Sequence, residues 1–178
     1  MVVAAMNRLI WSAAALGAIV FLAALALTGG RGGPGLLPFV PKGLMTIRLQ
    51  DVREVELETR EGRWHFVRAE DGWHAAAGAT TAGFAARLDG ALRLLRNSGP
   101  ERVLSATETA GVDPAQFGLD PPRLRVVVNG SGASSFVISF GATNVLGLSH
   151  YARREGSGEI ALLPGFVAEE WERVGKMP

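Results

Sequence analysis

The sequence predicts an α+β fold, in which an antiparallel β-sheet is covered on one face by two helices and follows one N-terminal transmembrane helix. Three observations predict it. Short segments after residue 44 alternate apolar and polar residues with a period of two, as half-buried strands do. Two segments repeat apolar residues every three or four positions, as amphipathic helices do. Near the N-terminus, the nineteen residues from Leu9 to Leu27 carry no charge.

The N-terminal apolar segment is predicted to be a membrane anchor over residues 1–28. Between Leu9 and Leu27, only Ser12 and Gly17 lie outside the apolar set. A helix of nineteen residues rises about 28 Å, which is close to the hydrocarbon thickness of a bilayer. The alternative is a cleavable signal peptide, and Ala24-Leu25-Ala26 fits its cleavage motif. An apolar region of about 7–15 residues is usual for a signal peptide, so the length favours an uncleaved anchor.

The residues around the anchor suggest its orientation and its contacts. Arg8 precedes the segment and Arg31 follows it, so the flanking charges do not decide the orientation. A short tail before a lone anchor usually stays in the cytoplasm, which predicts a single pass through a bacterial inner membrane with the C-terminal domain in the periplasm. Ala13, Gly17 and Ala24 can share one stripe, which predicts close packing on the helices of a membrane-embedded partner.

Residues 29–43 are predicted to be a Gly/Pro-rich linker, and residues 44–178 an extracytoplasmic α+β domain. Glycines make a linker flexible, and spaced prolines favour an extended polyproline conformation. Leu36, Leu37 and Phe39 are unusually apolar for a linker. They would rest on the membrane surface or on a partner subunit, or pack against the base of the domain itself.

The first half of the domain is predicted to be a series of strands followed by a helix. Alternating apolar residues, separated by turn signals, predict strands over Met45–Gln50, Val52–Thr59, Trp64–Arg68 and Trp73–Ala75. Apolar residues from Phe84 to Leu95 recur at helical spacing, and Thr80 or Thr81 is the expected N-cap. Gly99-Pro100 ends this helix.

The second half repeats the same theme, so the domain is predicted to consist of two similar strand–helix halves. Asp113-Pro114 predicts the start of a single helical turn that ends at Gly118. Pro164 opens a last helix. The predicted strands of this half are Glu101–Ser105, Leu124–Val128, Phe136–Phe140, Ser149–Arg154 and Glu159–Leu163.

The segment between the short helical turn and the next strand is predicted to be a structural corner. Gly118 can adopt a positive φ at low cost, and Leu119 can fill the core. Asp120 can accept hydrogen bonds from backbone amides of its own turn, while Pro121 and Pro122 stiffen the chain before the strand. On this interpretation an Asp120→Ala substitution lowers stability; a binding site is the alternative.

The stretch from Phe117 to Val126 resembles the signature of domain-of-unknown-function family 4340. The strand hairpin, the glycine-rich loop, Tyr151-Ala152-Arg153 and Leu162-Leu163-Pro164 follow it in matching order, so the resemblance covers roughly residues 45–174. It implies an exported, membrane-anchored protein associated with ABC transporter components of the gliding-motility type. The family supplies no catalytic residue that could be transferred to this chain.

The search for catalytic or metal-binding motifs yields few candidates. The sequence contains no HExxH, no GxSxG elbow, no Walker A motif and no GxGxxG, so we predict no cofactor, no metal and no small-molecule substrate. His65 and His74 lie on neighbouring predicted strands near Asp71, but a metal site needs three or four converging ligands. We therefore expect these residues and His150 to be exposed strand histidines.

Charge and cysteine content exclude further classes of function. The chain lacks cysteine and has a net charge of +1, which argues against disulfide frameworks, thiol catalysis and nucleic-acid binding. Glu54, Glu56 and Glu58 form one polar strand face, predicted to be solvated or, alternatively, to meet a basic patch on a partner.

Three functions therefore remain open at the level of the sequence. The first is a non-enzymatic, membrane-anchored subunit that binds or scaffolds an ABC-transporter-like complex. The second is an accessory subunit of a respiratory or photosynthetic membrane complex. The third is an enzyme whose site the known motifs do not reveal.

Overall fold

The computed structural model describes residues 16–24, 40–78 and 80–177. The chain divides into two compact units, Met1–Phe39 and Val40–Pro178. In the first unit, residues 16–24 are helical (α1), and every one of them is exposed. The remainder of the predicted anchor, residues 1–15 and 25–28, lies outside the described residues. Within the described ranges, no helix combines the length and the apolarity needed to cross a membrane.

The described part of the second unit is an α+β fold built on an eight-stranded antiparallel sheet, as the sequence predicts for residues 44–178. Its strands are β1 (Val52–Thr59), β2 (Arg63–Ala69), β3 (Gly72–Ala75), β4 (Arg102–Leu104), β5 (Leu124–Gly130), β6 (Ser135–Thr143), β7 (Ser149–Arg154) and β8 (Ile160–Pro164). Its helices are α2 (Phe84–Asn97) and α3 (Gly165–Val174), and two short 3-10 turns span Leu49–Asp51 and Pro114–Phe117.

The order of the strands shows two meanders that meet at the centre of the sheet. The order is β3-β2-β1-β5-β6-β7-β8-β4, and every neighbouring pair is antiparallel. Strands β1 to β3 run outward on one side and β5 to β8 on the other, while β4 returns to pair with the last strand. Each meander is followed by a helix.

One face of the sheet and the two helices form the core. Val55, Leu57 and Phe66 on that face are no more than 1% exposed, and they belong to the same buried cluster as residues of α2 and α3. The ring centroids of Phe66 in β2 and Phe84 in α2 lie 4.8 Å apart. Trp171 of α3 is fully buried. The opposite face carries Glu54, Glu56, Glu58, His65 and Val127 and is called the open face below.

A polar cluster joins the edge of the sheet to α2. The Asp89 carboxylate accepts hydrogen bonds from Arg68 Nη2 at 3.0 Å and from Trp73 Nε1 at 2.9 Å. Arg68 Nη1 also donates to the carbonyl of Leu49 at 2.7 Å, and its guanidinium lies 5.0 Å from the centroid of the Trp73 ring. The cluster therefore links β2, β3, α2 and the turn before β1.

The prediction of a strand over Met45–Gln50 is wrong. The chain here forms hydrogen bonds to the C-terminal end of α2 instead of pairing with a neighbouring strand. Gly43 N–H donates to the carbonyl of Arg96 at 2.9 Å, and Met45 N–H to that of Leu95 at 3.3 Å. The Arg96 side chain in turn donates to the carbonyl of Ile47 at 2.9 Å. Carbonyls at a helix C-terminus have no partners inside the helix, so the passing chain supplies them.

The expected threonine cap of α2 is also wrong. Gly83 is the N-cap residue, has a φ of 82° and makes no side-chain capping bond. The carbonyl of Thr81 accepts the N–H of Phe84 at 3.1 Å instead. A left-handed glycine therefore turns the chain into the helix at the position where a threonine cap was expected.

Phe66 offers a direct test of the core. We expect Phe66→Ala to lower the free energy of unfolding by about 3–5 kcal/mol, because it leaves a large cavity against Phe84. Val67→Ala, the neighbouring substitution on the open face of the same strand, should cost less than about 1 kcal/mol. Urea unfolding of both variants measures the difference. Equal losses would contradict the assignment of the buried face.

Candidate functional site

The corner predicted from the sequence begins as expected, with a short helical turn over Pro114–Phe117. Asp113 Oδ1 accepts the N–H of Ala115 at 2.9 Å and so caps this turn. Gly118 ends it with a φ of 65°, and its N–H donates to the carbonyl of Ala115 at 2.9 Å. An aspartate cap and a left-handed glycine thus define the two ends of the turn.

The corner packs on the sheet through two glycines. A Cβ on Gly118 would lie 2.6 Å from the backbone nitrogen of Ala142, and one on Gly141 would collide with the carbonyl oxygen of Phe117. The Phe117 ring also meets the Tyr151 ring edge-on, with centroids 5.0 Å apart. The backbones of the corner and of β6 therefore lie in direct contact, which larger residues would prevent.

The remaining motif residues lie where the chain leaves the corner. Leu119 is 2% exposed, but it lies outside the main core cluster and forms an isolated bridge with Pro122. The peptide bond between Asp120 and Pro121 is cis. The side chain of Asp120 is exposed and makes no hydrogen bond within the described residues. The predicted bond from Asp120 to its own turn is therefore wrong, and Asp113 is the carboxylate that caps.

A cleft of about 540 Å³ lies beside the corner. Its lining includes Pro121 from the corner, the turn after β1 and the end of α3, with three cationic and two acidic side chains. Arg123 Nε and Glu172 Oε1 form an ion pair of 2.7 Å across it. The other charged side chains of its lining are those of Arg60, Glu61 and Lys176. No histidine is among the lining residues, so the cleft holds no general base of that kind.

The three histidines lie apart and have different surroundings. His74 Nε2 lies 2.8 Å from Asp71 Oδ1, and His65 Nε2 lies 3.7 Å from Glu54 Oε2. Both are exposed, as expected. The same expectation is wrong for His150, which is 6% exposed with Nδ1 3.4 Å from the carbonyl of Gly141. Across the described ranges, no three metal-ligating side chains converge.

The acidic stripe lies on the open face, where basic groups accompany it. Arg63 Nη2 lies 2.7 Å from Glu58 Oε1, and Arg125, which pairs in register with Glu58, lies 3.0 Å from Glu155. Charges on this surface are therefore mixed in sign. A partner would meet a mixed pattern here and not a uniformly acidic face.

One surface feature escaped the sequence analysis. The turn between β6 and β7 carries three exposed aliphatic side chains, and Phe166 at the start of α3 adds a fourth apolar group. The sequence contained the signal, since Val145-Leu146 occupies the middle of a predicted loop where polar or small residues are usual. The fold shows that these side chains are exposed to solvent, which the sequence pattern alone does not establish.

The residues predicted to pack in the membrane fall in the first unit. Ala13 lies outside the described residues. Gly17 and Ala24 lie in α1 and are exposed, and a Cβ on Gly17 would meet no described atom within 4 Å.

Comparisons with known proteins add no relative to this description. No family model matches the chain, and neither the curated proteins nor the solved structures contain a match.

Three glycine variants test the packing of the corner. Gly118→Ala should cost about 1–2 kcal/mol for its left-handed φ and about 1–3 kcal/mol more for the collision with Ala142. Gly141→Ala tests the collision alone, because its φ is not positive. Gly132→Ala tests the cost of a left-handed φ alone, because a Cβ at this position meets nothing within 4 Å. In thermal unfolding, Gly118→Ala and Gly141→Ala should both be more destabilising than Gly132→Ala. A loss for Gly118→Ala equal to that for Gly132→Ala would contradict the close contact.

The Asp71–His74 pair predicts an effect of pH. The hydrogen bond with His74, followed by that with the backbone of Asp71, lowers the pKa of the Asp71 carboxyl. Stability from this group is therefore present above its unfolded-state pKa and is lost as the pH falls through the lower folded-state value. In a carboxyl NMR titration, His74→Asn should return the Asp71 pKa toward its ordinary value. His65→Asn should leave it unchanged, and a similar response to both variants would contradict the pairing.

Proposed function

We propose that this chain is a single-pass, membrane-anchored subunit without catalytic activity, which holds its α+β domain outside the cytoplasm to bind or scaffold an ABC-transporter-like membrane complex. The observation that carries the proposal is the uncharged apolar segment from Leu9 to Leu27. Its described part is helical and exposed on all sides.

The side chains of α1 support the anchor. The large apolar residues of this helix are all 63–67% exposed: Leu16, Ile19, Val20, Phe21 and Leu22. Their positions are distributed around the whole circumference of a helix with 3.6 residues per turn. A surface helix of a soluble domain has one apolar stripe and one polar face. A helix that is apolar all round needs lipid or other apolar helices around it.

The resemblance to family 4340 supports the choice of partner. It rests on the stretch from Phe117 to Val126. The first part of this stretch is the corner, which attaches the segment before β5 to β6 and β7. The same resemblance implies an exported domain next to transporter subunits. The predicted N-terminal anchor supports this interpretation, since it would keep the domain beside its partner.

Membrane extraction tests the anchor. The full chain, expressed in a bacterial host, should remain in the membrane pellet after an alkaline carbonate wash. The double variant Ile19→Asp with Val20→Lys should move to the supernatant, because each charge at the centre of a spanning helix costs about 2.5–3.5 kcal/mol. Ile19→Leu with Val20→Leu is the matched control and should stay in the pellet. A wild-type chain in the supernatant, or a mature N-terminus near Leu27, would contradict the proposal.

Two further measurements test the orientation and the partner. The chain has no cysteine, so Ser131→Cys creates one labelling site in the domain. A membrane-impermeant maleimide should label it from the periplasmic side. Purification from the native membrane in mild detergent should recover the chain with integral membrane subunits, identified by mass spectrometry. Recovery as a monomer alone would argue against the scaffold, and turnover of a substrate by the purified chain would argue against a non-enzymatic role.

A further inference from the structure

The turn between β6 and β7 has apolar residues at its tip. Gly147 N–H donates to the carbonyl of Asn144 at 2.9 Å, which closes a four-residue turn, and Gly147 has a φ of 73°. Val145 and Leu146 occupy the two central positions and are 101% and 76% exposed. Such positions usually carry Pro, Asn, Asp, Ser or Gly. Residues Asn144 to Leu148 are called the apolar turn below.

Asn144 satisfies polar backbone groups at the flanks of this turn. Its Oδ1 accepts the N–H of Leu148 at 3.0 Å and the N–H of Ser149 at 3.2 Å. Its own N–H donates to the carbonyl of Ser149 at 2.7 Å. An amide that is already hydrogen-bonded can leave water at a much lower cost than a free one. The backbone groups of Asn144 and Leu148, at the two flanks of the apolar turn, are thus already satisfied when the tip enters an apolar environment.

The apolar surface continues from the turn onto α3. Gly165 N–H donates to the carbonyl of Leu148 at 2.8 Å and holds the turn against the start of the helix. Leu148 is 67% exposed and Phe166 is 50% exposed. Of the seven exposed large hydrophobic residues described between residues 40 and 177, four lie on this surface. No residue from Gly141 to Ser149 carries a charge. This is therefore the main apolar patch on the described surface of the domain.

We infer that the apolar turn and Phe166 form a lipid-binding surface that dips into the leaflet facing the domain. The inference rests on the proposed anchor, which would keep the domain close to the bilayer. Apolar side chains in the leaflet boundary bind in proportion to the apolar area that they bury. Insertion into lipid requires no complementary pocket, so an exposed turn with valine and leucine at its tip can bind a bilayer directly.

A protein partner fits this surface less well. Hot spots of protein interfaces are enriched in Trp, Tyr and Arg, whereas Leu and Val are under-represented. The tip itself offers Val145 and Leu146, without a charge or a hydrogen-bonding side chain for a protein to recognise. The absence of charge equally predicts that binding does not depend on anionic lipid.

The chain between the two units is long enough for this contact. Eleven residues, 29–39, separate the predicted anchor from Val40, and a chain of that length spans at most about 40 Å. A compact domain of about 140 residues has a radius of gyration of about 14 Å. The tether therefore leaves the domain free to turn against the bilayer, and it raises the effective concentration of lipid at the turn.

A fluorescent probe on the full chain tests the inference. Since the chain has no cysteine, Leu146→Cys provides a single site for an environment-sensitive nitrobenzoxadiazole label. The labelled chain is placed in nanodiscs of neutral phosphatidylcholine, with and without doxyl-labelled lipid. Ala133→Cys in the exposed turn between β5 and β6 is the matched control. Val20→Cys reports separately on the anchor.

We expect the probe at 146 to emit at shorter wavelength, to be quenched by the doxyl lipid and to be protected from iodide. The probe at 133 should show the opposite. With the probe moved to Leu148→Cys, the additional substitution Val145→Asp should abolish the shift and the lipid quenching, because a carboxylate resists transfer into lipid. Replacing part of the lipid with phosphatidylglycerol should leave the result unchanged.

The other outcomes overturn the inference in distinguishable ways. If the probe at 146 is open to iodide while the probe at 20 is quenched by lipid, the turn does not bind lipid and the anchor stands. If the probe at 146 shifts without lipid quenching, a protein surface or a second copy of the chain covers the turn. If the probe at 20 also escapes lipid quenching, the proposed anchor is wrong and the inference falls with it.

Discussion

The pairing of β1 with β5 is the interaction on which the rest of the domain depends. Val55 lies opposite Val128 and Leu57 opposite Val126, and all four side chains are buried. The pairing joins two meanders that are each closed by local turns. It also places the helix that follows each meander on the same face, where α2 and α3 pack on one continuous apolar surface. Without this pair, each meander would expose an edge strand and half of its apolar face to water.

The corner before β5 supports this arrangement from the other side of the sheet. It rests on β6 through backbone contacts that require glycine at both Gly118 and Gly141, and on β7 through the rings of Phe117 and Tyr151. The residues on which the family resemblance rests therefore have a structural role, which is to form the corner and to pack it on β6 and β7. What such a domain offers to a partner must come from its loops and from the part of its open face that the corner does not cover.

Much of the fold could be predicted from the sequence because its signals are local. Period-two alternation and turn residues located β1, β2, β3 and β7 to within about one residue of their ends. The errors arose where a distant group decides the outcome. The N–H of Met45 bonds to the end of α2 instead of to a strand. His150 is buried between β6 and β8, which pair with its strand on either side. For the candidate site, the corner and its Asp113 cap were found by their turn chemistry. The hydrogen bond expected of Asp120 does not form, because its side chain is exposed to solvent.

The sequence by itself determined the uncharged apolar segment at the N-terminus, the hairpins, the two amphipathic helices and the aspartate-capped turn. Each of these depends on residues within a few positions of one another, so a local pattern contains the whole signal. Only the tertiary structure decided that β1 meets β5 and that β4 returns to β8, since closure of a long loop leaves no trace in local spacing. It also decided which apolar residues stay outside. Val145 and Leu146 are as apolar as Val126 and Leu124, and only the packing of the chain leaves the first pair in solvent and buries the second.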